Sequence, residues 1–105
     1  WFILHNGSAR YPKNASKIWR DRMKGFILGM PALIPCERCA DHATAHIEQN
    51  KNRLDEIVST RENLFNFFVD FHNYVNKRYG KPIMGYEDAM KLYTRKTNVT
   101  KLSYN

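Results

Sequence analysis

Along this chain apolar residues recur three and four apart, and no strand-like alternation interrupts them, so the pattern predicts helices. A short apolar segment runs from Trp1 to Ala9 and ends at Tyr11-Pro12. A second helix, capped by Asn14 or Ser16, carries Ile18, Trp19, Met23, Phe26, Ile27 and Met30 at helical spacing; Pro31 and Pro35 end it. The third starts near Cys36 and fades at Asn50-Lys51-Asn52. Ser59-Thr60-Arg61-Glu62 reads as a capping box, with Ser59 accepting from the backbone of Glu62 while Glu62 reaches back. The fourth helix follows, through Leu64, Phe65, Phe67, Phe68, Val69, Phe71, His72, Tyr74, Val75 and Tyr79. Gly80 stops it, and Pro82 prevents a restart. A short fifth helix covers about Tyr86 to Tyr93. From Thr94 to Asn105 the chain is polar and aperiodic, a tail or the start of a linker. Short connections between amphipathic helices predict an all-α fold, a four-helix up-and-down bundle with a short fifth helix.

Composition changes the picture little. A chain of 105 residues is one domain with a modest core. Its formal charge is +7, from 17 Lys and Arg against 10 Asp and Glu. Such an excess serves as solvated surface, as an attraction for an anionic ligand such as a phosphate-bearing cofactor, or for nucleic acid. The basic residues are scattered, which weakens the nucleic-acid reading. No segment approaches the roughly eighteen consecutive apolar residues that would span a membrane. The apolar start Trp1-Phe2-Ile3-Leu4 has no basic region before it and reads as a domain cut inside its first helix, not as a signal peptide.

The chemistry gathers in three places. The first is Pro35-Cys36-Glu37-Arg38-Cys39, which holds both cysteines of the chain. A lone CxxC excludes a disulfide framework and leaves metal binding or redox chemistry. The helix that follows places Cys36 in a first turn, where free N–H groups and the positive end of the dipole favour a thiolate. His42 and His46 complete a C-x2-C-x2-H-x3-H string that suggests zinc. On one helix, however, Cys36 and His46 are about 15 Å apart at roughly 1.5 Å per residue. Ligands about 2.0–2.3 Å from one ion cannot span that distance, so no metal site is predicted. A thioredoxin-type motif needs a strand before it, and Gly29 to Pro35 is too short and proline-broken for one.

The second place is His72-Asn73-Tyr74-Val75-Asn76-Lys77-Arg78-Tyr79-Gly80-Lys81-Pro82. Asn disfavours helix interiors, yet Asn73 and Asn76 stand within an aromatic helix. Residues 72, 76 and 79 share a face, with 75 beside them. That face offers an imidazole, an amide and a phenol to a planar ligand, and Lys77, Arg78 and Lys81 at the helix end suit a diphosphate. A core stripe with a solvated basic end fits the same pattern. The third place pairs Trp1 and His5, one turn apart, with Tyr11-Pro12 after them; alone it reads as a core stripe.

Taken in order, W-x-x-L-H…Y-P, P-C-x-x-C, H-N-x-V-N-x-x-x-G-K-P and a final aromatic at Tyr93 resemble the FAD-linked sulfhydryl oxidases of the Erv/ALR family. The resemblance covers about residues 1–93 and sets 94–105 apart. It implies a small helical bundle with FAD at its mouth and a homodimer. Trp1, His5 and Tyr11 would line the flavin or adenine, and His72, Asn73, Val75, Asn76, Arg78, Lys81 and Tyr93 would form the rest of the site. Cys36 would exchange with a reduced dithiol protein or thioredoxin-like donor. Cys39 would sit against the flavin, and molecular oxygen would be the acceptor, giving hydrogen peroxide.

Two departures from the family pattern matter. Many members join the fourth helix to the segment after Gly-Lys-Pro by a disulfide, and the matching positions here are Val69 and Gly85. Many also carry a second, shuttle cysteine pair, and this chain holds only the one CxxC. Compact members resemble those of large DNA viruses, which would place the protein in infected-cell cytoplasm or the virion. The aromatic surplus, six Phe, six Tyr and two Trp, exceeds what one small bundle buries easily, and a dimer would hide the excess. The contrary reading is a basic helical binding module for nucleic acid or protein, with an incidental or metal-binding CxxC.

Overall fold

In a computed structural model the chain is described over residues 1–94, and every regular element among them is helical. The stretch from residue 95 onward, expected as a tail or linker, lies outside the described residues. Helix α1 is Phe2–Ser8, α2 Lys17–Gly29, α3 Glu37–Gln49, α4 Leu54–Ile57, α5 Arg61–Arg78 and α6 Tyr86–Thr94. Short 3-10 turns at Met30–Leu33 and Lys51–Arg53 link α2 to α3 and α3 to α4.

Local chemistry explains the boundaries. Of the two expected caps for α2, Ser16 is used: its hydroxyl accepts from Trp19 N at 3.4 Å. Asn14 pairs instead with Thr60 in an isolated antiparallel bridge, beside the bond from Ala15 N to Ser59 O at 3.0 Å. Pro31 in the first turn of Met30–Leu33 stands where a missing N–H costs nothing. Cys36 is the N-cap of α3, one position ahead of the expected first turn. The capping box is displaced as well. Thr60, not Ser59, caps α5, accepting from Asn63 N at 3.1 Å. Ser59 is occupied elsewhere, its hydroxyl donating to Glu56 O at 2.6 Å to close the turn behind it. At the far end Gly80 adopts φ +68°, with Lys81 N bonded to Asn76 O (2.7 Å) and Gly80 N to Lys77 O (3.3 Å), a Schellman closure. The single turn α4 was not expected; it is too short to show a period, but it buries Leu54 and Ile57.

The core is organised on α5. It packs against α1, α3, α4 and α6, and α2 closes over α4. The larger apolar group includes Ile27, Ile47, Ile57, Leu64, Phe68 and Phe71. A smaller one joins Phe65 and Val69 of α5 to Ala89 and Tyr93 of α6, with Met84 against it. Val69, where the family pattern places a disulfide, is thus fixed by packing. Contrary to the surplus expected, Phe65, Phe67, Phe68 and Phe71 are all buried within this one chain, each contributing about 1.5–3 kcal/mol. An 18-residue helix beneath four others has core on more than one side, which a single-stripe count underestimates. Among the apolar side chains that stay outside are Ile3 on α1 (79% exposed) and Trp19 and Phe26 on α2 (49% and 43%), with Leu33 and Ile83 exposed beyond those helices.

Candidate functional site: a dithiol beside a buried aromatic and imidazole cluster

The dithiol is built by the start of α3. Cys36 is exposed and Cys39, one turn on, is half-buried; both are free thiols. Cys36 Sγ accepts from Cys39 N at 3.2 Å, doing the work a serine does at other helix starts. Hydrogen bonding from Cys39, side chain and backbone, lowers the Cys36 pKa, helped by the Arg38 N–H and charge. Cys39 Sγ, besides meeting Cys36, lies 3.8 Å from the Tyr79 hydroxyl at the end of α5.

The second part joins α1, α5 and α6. Trp1 stacks on His72 with centroids 4.0 Å apart and planes 9° from parallel, and lies edge-on to Phe71 at 5.3 Å. His5 Nε2 and His72 Nδ1 are 2.8 Å apart, so one donates and the other accepts. Tyr93 closes the group, its ring 4.6 Å from His5. Both imidazoles are fully buried. Burial drives His5 down to about 4, and burial with the neighbouring His5 drives His72 down to about 3, so the pair is neutral. The Tyr93 hydroxyl is buried with no hydrogen-bond partner among the described residues, and burial pushes its pKa up to about 12.

The remaining expected site residues divide. Asn73 clamps the backbone of Met84, donating to its carbonyl at 2.6 Å and accepting from its N–H at 2.9 Å. Asn76 donates to Pro82 O at 3.0 Å. These two amides therefore fasten the loop after α5, a task their spacing did not disclose. Val75 is half-buried against the larger core. Arg78 reaches His42 Nε2 at 3.2 Å, with its guanidinium 5.5 Å from the Tyr74 ring. Lys81 is exposed, close enough for its charge to disfavour a proton on His72. Tyr11 is buried in the larger core, its hydroxyl donating to Val58 O at 2.8 Å and its carbonyl accepting from Arg61 Nε at 2.5 Å. Sequence reasoning offered the Tyr79 phenol to a planar ligand but did not place it at the dithiol. Its place on the face of residues 72 and 76 was visible, but its approach to Cys39, forty positions away, is tertiary.

The donor set fits a flavin dinucleotide. Stacked rings, neutral imidazoles and a buried phenol without a partner among the described residues suit a planar, hydrogen-bonding ring system, and Arg78 and Lys81 suit a diphosphate. Fold and site together define a helical redox domain with an exposed–recessed dithiol. The Erv1/Alr family profile matches residues 1–96, and the chain belongs to that family. It is 40% identical over 93 residues to a protein of Invertebrate iridescent virus 3, covering 89% of this chain and 62% of that one. It is 36% identical over 94 residues to one of Invertebrate iridescent virus 6, covering 87% and 85%. Both names contain "FAD-linked sulfhydryl oxidase", as does that of mitochondrial erv1 of Schizosaccharomyces pombe, 31% identical over 79% of this chain and 44% of the yeast protein. This chain thus spans under two thirds of the first of these relatives and most of the second. The crystal structure of the yeast Erv1 core superposes with a TM-score of 0.82 at 28% identity, over 93% of this chain and 80% of that one.

Proposed function

We propose that this chain is an FAD-linked thiol oxidase that makes disulfides in substrate dithiols and delivers the electrons to dioxygen. Membership of the Erv1/Alr family supports it, and the observation that carries it is the asymmetry of the dithiol: Cys36 exposed with a lowered pKa, Cys39 recessed behind it. Two substrate thiols lose two electrons and two protons, and dioxygen becomes hydrogen peroxide. Bound FAD supplies the two-electron acceptor and the path to oxygen. Cys36 takes the substrate thiolate in a mixed disulfide, and Cys39 leaves as the inner thiolate. Trp1, His5, His72 and Tyr93 would hold the planar part of the cofactor, with Tyr11 behind them. Asn73, Val75 and Asn76 would complete the wall, and Arg78 and Lys81 would meet the diphosphate. Residues 1–93 form the FAD-binding unit, with α1, α2, α3 and α5 as a four-helix bundle, α6 as its short fifth helix and the cofactor at the mouth.

The purified protein is expected to be yellow, to release FAD on denaturation and to consume oxygen with dithiothreitol. A colourless protein that cannot be reconstituted with FAD would overturn this reading.

A further inference from the structure

The two sulfurs of the dithiol have different hydrogen-bond donors. Cys36 Sγ is served by a backbone N–H at the head of α3. Cys39 Sγ is served from another element. Tyr79 is the C-cap of α5, and the left-handed turn at Gly80 carries the chain away behind it. The Tyr79 ring is thereby left against α3, 6.4 Å from the His42 ring, with its hydroxyl 3.8 Å from Cys39 Sγ. A phenol beside a thiolate is a donor, because the thiolate has no proton to give. The hydrogen bond to Cys39 is also the leading cause that raises the Tyr79 pKa, so the phenol keeps its proton. The other charged or titratable groups near this contact are Cys36, Arg38 and His42 on α3 and Arg78 on α5. Arg78 is held by His42 and the Tyr74 ring, and the Cys36 side chain, which also meets Cys39, is the bonded partner in the disulfide, so Tyr79 is the side chain outside the dithiol at hydrogen-bond distance from the inner sulfur.

We propose that Tyr79 is a further catalytic residue: its hydroxyl donates to Cys39 Sγ and stabilises that sulfur as the leaving thiolate when the Cys36–Cys39 disulfide is opened. In that step a substrate thiolate forms a bond to Cys36 Sγ, the Cys36–Cys39 bond breaks, and its electron pair stays on Cys39 Sγ. The substrate's second thiolate then attacks the mixed disulfide, forming the substrate disulfide and releasing the Cys36 thiolate. The dithiol is oxidised by two electrons and the cysteine pair is reduced by two. The role rests on the thiol-oxidase reading for its place in turnover, but the contact itself does not require turnover.

The test is the disulfide equilibrium of the full 105-residue chain in anaerobic glutathione buffers, trapped by alkylation and read by mass. Tyr79→Phe removes the donor and keeps the ring. Near pH 9 the variant is expected to favour its disulfide about fivefold over the parent chain, the size of a typical net hydrogen bond. Near pH 6, well below the ordinary range of thiol ionisation, the two should agree within about twofold. Glutathione's own ionisation cancels in the ratio. Tyr79→Leu should reproduce the shift at the higher pH. No shift in Tyr79→Phe, or the same shift at both pH values, overturns the proposal and leaves Tyr79 a packing residue. Oxygen uptake with dithiothreitol is read separately: its absence in the parent chain overturns the oxidase reading while the glutathione equilibrium still decides Tyr79.

Discussion

Cys36 and Cys39 are the same residue type one helical turn apart, and their surroundings make them different reagents. The outer sulfur collects helix-start donors and meets solvent; the inner one faces α5. Cys39→Ser is therefore expected to abolish oxidase activity while FAD stays bound. Cys36→Ser should be equally inactive yet keep Cys39 as a thiolate. Oxygen uptake and the visible spectrum of each variant decide this, and substantial turnover in both would refute the division of roles. The His5–His72 pair makes a second prediction at this scale. Both folded pKa values lie below the ordinary 6.5, at about 4 and about 3. The unfolded chain therefore takes up protons before the folded one does, and stability is lost as pH falls below about 6.5. The slope is up to about 1.4 kcal/mol per pH unit for each imidazole. Urea unfolding at neutral pH and about two units lower is expected to show a clear loss, flattened in a His5→Phe/His72→Phe variant. A parent curve flat over that interval would contradict the buried neutral pair.

At the scale of elements, the helices most legible in the sequence are those whose ends carry their own chemistry. The start of α2 at Ser16, that of α3 at Cys36 and the stop of α5 at Gly80 are all readable because a cap or a left-handed glycine is local. The start of α5 was misplaced by one residue, because Ser59 and Thr60 are equally good caps on paper. The choice is made by the turn after α4, which engages Ser59. The site divides along the same line. Trp1 and His5 share a face as their helical spacing implied, and His72 joins them as the resemblance implied, whereas the loop-fastening of Asn73 and Asn76 and the approach of Tyr79 to Cys39 depend on how α3 and the Gly80 loop pack. Two substitutions probe the ends. Thr60→Ala is expected to cost about 1 kcal/mol. Gly80→Ala meets no atom within 4 Å, so its cost, about 1–2 kcal/mol, is that of holding a Cβ at positive φ. Gly80→Asn should cost less, since Asn tolerates that region. Denaturant midpoints at constant slope measure all three, and an unchanged midpoint in Gly80→Ala would remove the left-handed stop from the account.

For the whole molecule, the buried phenylalanines of α5 remove part of the aromatic argument for a dimer and leave a sharper one. Among the exposed apolar side chains, Ile3 of α1 and Phe26 of α2 border, with Met23, a nearly wholly apolar groove of about 230 Å³ lined also by Leu4 and Leu64. We infer that a second copy covers this face in a two-fold pair, which buries the same patch twice. Light scattering is expected to give twice the 12.4 kDa chain mass at micromolar concentration. Ile3→Asp with Phe26→Asp should return a monomer that keeps its helical content. A monomeric parent chain would end the inference. The same scale sets the limit on substrates. Both cysteines of these 105 residues belong to the CxxC at α3, so a relay of electrons from a bulky partner would need a cysteine pair from outside them, on a further part of the protein or on a separate carrier. Cys36 is exposed at the end of a folded helix, which a small dithiol reaches freely and a folded protein reaches only by presenting a protruding thiol. Dithiothreitol should therefore be oxidised quickly and a large reduced protein slowly, with the slow reaction accelerated by adding a small CxxC carrier. Fast, unaided oxidation of the large protein would show that the face around Cys36 docks its substrate directly, and the carrier requirement would fall.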